Sequence, residues 1–161
     1  MRNCPLEVKA KCYNAFVRPI AEYASCVWDP HTHPNITKLE SIQRQAARFV
    51  MNDYSRENSV SAMLDELNWD SLQHRRAVSK VTMMHRITNG LIGIPQTQLK
   101  PLETPTRGNS RRFHISNSRT TMMKGTFFPD TSHLWNTLPQ HVVDSPSTDD
   151  FKARAGDVTF Y

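Results

Sequence analysis

The sequence predicts a mainly α-helical chain: a small helical bundle over residues 1–92, a basic, proline-containing irregular linker over 93–124, and a short helical tail over 125–161, with little or no sheet. Three observations predict it. Apolar residues recur at three- and four-residue steps through most of the first 90 residues, the spacing of one buried helix face. Ser and Asp stand where these runs begin, and Gly, Asn or Pro where they stop. No stretch alternates polar with apolar at period two, as a half-buried strand would.

The first helix carries its stripe on Leu6, Tyr13, Phe16, Val17, Ile20, Tyr23, Ala24 and Val27. Pro5 suits a first turn, and Pro19, inside the pattern, removes an N–H and predicts a break or kink near Val17–Arg18. Trp28-Asp29-Pro30 ends the run, and His31-Thr32-His33-Pro34 reads as a turn. A second helix buries Ile36, Leu39, Ile42, Ala46, Phe49 and Val50, leaves Lys38, Arg44, Gln45 and Arg48 off that face, and stops at Asn52-Asp53. Residues 53–58 are a polar loop. Ser59 caps a short helix with Val60, Met63, Leu64 and Leu67. Asp70, with Gln73 three places on, opens a long helix that turns Ala77, Val81, Met84, Ile87 and Leu91 inward and ends at Asn89-Gly90.

From Gly93 helical period is lost, and Pro95, Pro101 and Pro105 follow at short intervals. Residues 1–99 have a net charge of +3, residues 100–124 of +5, and residues 125–161 of −3. The basic segment alone therefore carries a charge equal to the excess of the whole chain. Order returns with Phe127-Phe128-Pro129, then Leu134, Trp135 and Leu138, stopped by Pro139. Ser147 with Asp150 caps a last helix through Phe151 and Ala155, ended by Gly156. Tyr23, Trp28, Phe49, Trp69, Phe127, Phe128 and Trp135 read as packing residues of the core, the last three anchoring the tail.

At 161 residues and 38% hydrophobic the chain suits one modest domain, or one domain with a tail. Its charge of +5 leans toward an acidic partner. Cys4, Cys12 and Cys26 lack C-x-x-C spacing, which excludes a zinc ribbon, and their odd number suits a reducing compartment. No apolar run marks a signal peptide, and none approaches the roughly 18 residues of a membrane span. Asn35-Ile36-Thr37 is a glycosylation sequon that an intracellular chain does not use. His31-x-His33 lacks a third ligand apart from Asp29 and reads as a turn, so no metal site is expected. No Gly-x-Ser-x-Gly, phosphate loop or dinucleotide fingerprint occurs. The adjacent pair Asp149-Asp150 reads as acidic residues at a helix start, favoured by the helix dipole.

Four strings are more specific than periodicity. They are Tyr13-Asn14-Ala15-Phe16-Val17-Arg18-Pro19-Ile20-Ala21-Glu22-Tyr23-Ala24-Ser25-Cys26-Val27-Trp28-Asp29-Pro30; Leu39-Glu40-Ser41-Ile42-Gln43-Arg44-Gln45-Ala46-Ala47-Arg48-Phe49; Leu67-Asn68-Trp69-Asp70-Ser71-Leu72-Gln73-His74-Arg75-Arg76; and Thr126-Phe127-Phe128-Pro129 running into Leu134-Trp135-Asn136-Thr137-Leu138-Pro139. In this order they resemble the C-terminal region of non-LTR, LINE-type, jockey-like retrotransposon reverse transcriptases, over about residues 5–152. The resemblance implies the thumb and the segment after it, a piece of an RNA-directed DNA polymerase that begins after the palm. Polymerisation needs paired carboxylates on a hairpin holding Mg²⁺, and Asp149-Asp150 lacks the strand that precedes them in a palm. The chain by itself is therefore expected to have no catalytic residue, no cofactor and no polymerase activity, since Mg²⁺ would bind the absent palm.

The partners this implies are an RNA or DNA primer–template, bound weakly and without sequence preference, and the palm and fingers of a full polymerase, with no membrane. The location it implies is the nucleus or a cytoplasmic ribonucleoprotein. Arg44, Arg48, Arg75 and Arg76 can face the duplex. Arg107, Arg111, Arg112, Arg119 and Lys124 can meet phosphates, aided by Thr106, Ser110, Ser116 and Ser118, with Phe113 and His114 stacking on bases. The alternative for the helical cations is a solvated or ion-paired face, with Glu40 and Arg44 spaced as an i,i+4 pair; for the basic segment it is a passive linker. The chain departs from the family at Asn109, where a His follows Arg-Gly, at Asp130, where a basic residue follows Phe-Phe-Pro, and at Gln45, often Arg. Each departure fits a decayed element copy. Two further readings stand beside the first: a free-standing helical nucleic-acid-binding or interaction module, and a non-functional remnant.

Overall fold

The structure is a computed structural model that describes residues 4–103, 108–115, 117 and 119–161. The chain is mainly helical, and among the described residues the extended pairing is confined to one antiparallel bridge between Pro101 and Phe113. In chain order come α1 (Leu6–Cys12), a π-helical turn (Tyr13–Val17), α2 (Arg18–Glu22), α3 (Ser25–Trp28), α4 (His33–Met51), α5 (Val60–Glu66) and α6 (Leu72–Thr88). A 3-10 turn (Gln96–Gln98) follows, then α7 (Thr121–Lys124), α8 (Phe127–Thr137), α9 (Gln140–Val143) and α10 (Thr148–Gly156). No helix among the described residues is long and apolar enough to cross a membrane. The chain divides into two compact units, Met1–Ala24 with Pro30–Arg75, and Ser25–Asp29 with Arg76–Tyr161.

That division corrects the boundaries expected after residues 92 and 124. The apolar stripe of α6 has the predicted period, but it does not close the N-terminal bundle. Ala77, Val81, Met84 and Ile87 are fully buried in one core with Leu99, Phe113, Leu134, Trp135, Leu138, Val142, Phe151 and Ala155. Periodicity shows which face of a helix is buried, not which partner buries it.

In the first unit, Pro19 lacks an N–H, and the helix widens before it: the Arg18 N–H reaches back five residues to Tyr13 O, and α2 restarts with Pro19 in its first turn. Tyr13 is the one buried residue of that π turn, and it stacks on Trp69 at 4.5 Å. Its hydroxyl donates to Gln43 Oε1 at 3.2 Å, and Gln43 Nε2 donates to Asp70 O at 2.8 Å. Burial pushes the Tyr13 hydroxyl up to about 12, so it remains a neutral donor. Ala47, Val50 and Met63 complete this core, with Phe49 packed at its edge. Drawing Gln43 inward rotates α4, which leaves the expected core residue Ile42 exposed.

The Lys9 ammonium is buried over the Phe49 ring and donates to Phe49 O at 3.4 Å, near the carbonyl end of α4, where a cation is favoured. Asn52 ends α4 in the left-handed conformation, and Ser59 Oγ caps α5. The start of α6 is capped by Ser71 Oγ, which accepts from His74 N, and by the Glu40 carboxylate, which accepts from Leu72 N and Gln73 N. Asp70, the expected cap, is exposed and uses its carbonyl on Gln43.

In the second unit the expected irregular linker is partly built into the core. Leu99 and Phe113 are buried, and the backbones of Lys100–Leu102 and Arg112–His114 exchange hydrogen bonds. Asn136 clamps the backbone of Phe113 with both side-chain atoms, and Trp135 Nε1 donates to Arg111 O at 2.7 Å. Asn109 is fully buried and donates to the carbonyls of Trp135 and Leu138 at the end of α8, both at 3.0 Å. Two or three scattered anchors of this kind leave no periodic trace. Phe127 and Phe128 pack at the edge of the core and Trp135 in its centre, as expected, and Ser147 Oγ caps α10.

Of the stripe expected on the first helix only Tyr13 is buried; Leu6, Phe16, Val17, Ile20, Tyr23, Ala24 and Val27 face solvent, as do the expected inward residues Trp28 and Leu91. Tyr23 is 78% exposed, because α2 ends there and Ala24 turns the chain with a φ of 51°. Trp28, the last residue of the four-residue α3, is 41% exposed. Leu91 follows the left-handed Gly90, which turns the chain away from the stripe.

Trp69→Ala is expected to destabilise the first unit by about 3–5 kcal/mol, and Tyr13→Phe by about 1 kcal/mol. Urea titration followed by amide exchange in α4 checks both values and their order.

Candidate nucleic-acid interface

A side chain that binds phosphate needs its charge at the surface and not committed inside the fold. The nine cations singled out in the sequence divide sharply on that test. Arg44 is exposed, and Arg48 is half-buried with Nη1 donating to Ser55 O at 2.6 Å. With Lys38, Ser41 and Gln45 they share the side of α4 opposite the buried Gln43, Ala47 and Val50. The carboxylate of this helix, Glu40, is turned to the start of α6 instead of pairing with Arg44. The stripe is thus basic and polar throughout.

Arg75 and Arg76 are adjacent in sequence but have different fates from those expected. Arg75 is half-buried and grips both oxygens of Glu22, which hold its guanidinium above the usual arginine range. The Arg76 side chain is 0% exposed, its Nε bonded to Asp29 Oδ1 at 2.6 Å. Lys80, one turn on and also buried, binds the other Asp29 oxygen and Asp130 Oδ2, the latter at 2.6 Å. Burial pulls the Lys80 ammonium down, but the two carboxylates outweigh it and hold the charge on. Arg76 therefore cannot meet a phosphate: removing a guanidinium from water requires the carboxylate it already has. Asp130 answers Lys80. Sequence reading missed Lys80, Glu22 and Asp29 as partners; the i,i+4 spacing of Arg76 and Lys80 on one helix side was the available signal.

The basic segment is likewise sorted. Arg111, Arg119, Lys124 and His114 are exposed in the second unit, and Arg112 is half-buried. Phe113 is buried with its ring 6.1 Å from Trp135, so it cannot stack on a base. Ser110 is exposed, its backbone N–H donating to Gln140 Oε1. Arg107, Thr106, Ser116 and Ser118 lie outside the described residues.

Two other features belong to the surface. Phe16, Ile20 and Tyr23 follow one another at steps of four and three and are 71%, 74% and 78% exposed, with Val17 beside them. This is an apolar ridge on the first unit. His31 and His33 are exposed, and among the described residues no group of three or more His, Cys, Asp or Glu is placed to hold a metal. Asp149 and Asp150 lie in the first turn of α10, where Asp150 is bonded to Ser147. Burial pushes the Cys26 thiol up, which disfavours the thiolate a nucleophile needs. Compared with models of protein families, with curated proteins and with solved structures, the chain matches none.

Asp29→Ala, which strands the Arg76 charge, is expected to cost about 3–5 kcal/mol. Arg44→Ala, at an exposed site, is expected to change stability by less than about 0.5 kcal/mol. Thermal and urea unfolding of the two variants measures the contrast.

Proposed function

We propose that this chain is the C-terminal, thumb-containing portion of a non-LTR retrotransposon reverse transcriptase, that it holds primer–template for a palm, and that it performs no polymerisation itself. The reading is carried by the four ordered strings that resemble that family. Residues from separate strings also meet in the fold. Tyr13 of the first, Gln43 of the second and Asp70 of the third form one hydrogen-bonded chain. Glu22 of the first holds Arg75 of the third, and Asp29 of the first holds Arg76 of the third. Their co-occurrence thus has a physical reason in folding.

Binding is assigned to the exposed side of α4. From Lys38 to Arg48 a helix rises about 15 Å, roughly four base steps of a duplex. Lys38, Arg44 and Arg48 supply charge along that length, and Ser41 and Gln45 supply neutral hydrogen bonds. Such contacts follow the sugar–phosphate backbone and read no sequence. Arg111, Arg119 and Lys124 form the second, smaller contribution. The apolar ridge of Phe16, Ile20 and Tyr23 is where the rest of the polymerase packs. The same ridge also favours the second reading, a stand-alone interaction module with a protein partner.

Primer extension with the purified chain and Mg²⁺ or Mn²⁺ is expected to yield no templated product. Fluorescence anisotropy with an RNA–DNA duplex is expected to show weak, sequence-independent binding that falls about 40-fold over a fourfold rise in salt, for three phosphate contacts. Joint replacement of Lys38, Arg44 and Arg48 by Ala should flatten that slope while leaving the helical circular dichroism unchanged. Absence of binding at low salt, or an unaltered slope in the triple variant, rejects the α4 assignment.

A further inference from the structure

His85 is a titratable residue that nucleic-acid binding leaves unused. It lies on α6 within the second unit and is 3% exposed. Its ring stacks on Phe151 of α10 at 4.4 Å, and Phe151 stacks in turn on Trp135 of α8 at 5.7 Å. Neither ring nitrogen has a well-formed hydrogen bond. A neutral imidazole tolerates such a place. An imidazolium carries two N–H donors and a full charge, and burial with no well-formed hydrogen bond to either nitrogen disfavours it strongly.

The charged groups on the surrounding elements do not compensate. Arg111 is the charged residue that acts on the ring, and its sign opposes protonation. On α10, Asp149 and Asp150 are exposed in the first turn, Asp150 being bonded to Ser147. Lys152 is exposed, and Arg154 donates to His141 O. Asp144, beside Ser145, accepts from Gln140. The Ser145 backbone is the polar group that favours the charged ring, and burial outweighs it, so the ring protonates below its usual 6.5.

We propose that His85 is an acid-sensitive latch within the second unit: protonation of its ring breaks the His85–Phe151–Trp135 stack and releases α10 from α6. The sign follows from linkage. The closed form binds the proton less well than the open form. Closure is therefore at full strength above about pH 6.5 and weakens as pH falls from there toward the lower value of the closed state. Within that window the opening constant rises up to about tenfold per pH unit. The latch is independent of the polymerase reading.

The test uses the full chain between pH 7.5 and 5.0, with amide exchange in α10, corrected for intrinsic rates, and NMR of the His85 ring. The expected result is α10 protection that declines below pH 6.5, with no protonation of the ring at 6.5 while α10 is closed. In His85→Phe, which keeps an aromatic stack without a charge, protection is expected to be independent of pH over this range. A ring that titrates near 6.5 with α10 protection unchanged overturns the proposal, as does full pH dependence retained in His85→Phe. Should that variant not fold, the titration of the wild-type ring decides alone.

Discussion

The second unit depends on one carboxylate. Arg76 and Lys80 stand one turn apart on α6, and both are buried beside the fully apolar positions Ala77, Val81 and Met84. Two cations cannot be taken out of water beside such a core without a partner. Asp29 supplies an oxygen to each, and Asp130 adds a second carboxylate to Lys80. The turn of chain around Asp29 is thereby tied to a helix nearly fifty residues later. That tie explains why residues 25–29 group with the second unit although their neighbours on both sides group with the first.

The first unit meets the same difficulty with neutral groups. Gln43 is fully buried, accepts from Tyr13 and donates to Asp70 O. Both ends of the Gln43 amide are answered, which offsets the cost of burying it. The outcome for function is a redistribution of roles. Residues that look like nucleic-acid contacts on charge alone, Arg75 and Arg76, are spent on Glu22 and Asp29. The surface keeps the basic side of α4, the exposed Arg111, Arg119 and Lys124, and the apolar ridge of Phe16, Ile20 and Tyr23. The proposed role uses the basic groups toward a duplex and the apolar ridge toward the rest of an enzyme.

Departures from the family resemblance take on a structural meaning. Asn109 closes the carbonyl end of α8, and Asp130 neutralises a buried lysine. Each is engaged in the fold of this chain. Gln45 stays exposed on α4, where a neutral side chain lowers the charge of the stripe.

The sequence by itself determined the local features: helices from period and caps, the break at Pro19, the stops at Asn52, Gly90 and Pro139, and the caps at Ser59 and Ser147. Each rests on interactions within a few residues, which a linear reading can follow. Pairing across twenty or more residues was invisible to it. Period showed that α6 has a buried side but not that residues 99–155 bury it. Composition showed a basic segment but not that Phe113 and Asn109 anchor it. Charge showed Arg76 but not Asp29, 47 positions away, that removes it from the surface. Only the tertiary structure decided those, because the worth of a buried charge or ring is set by the groups that desolvate and answer it, and these come from distant parts of the chain.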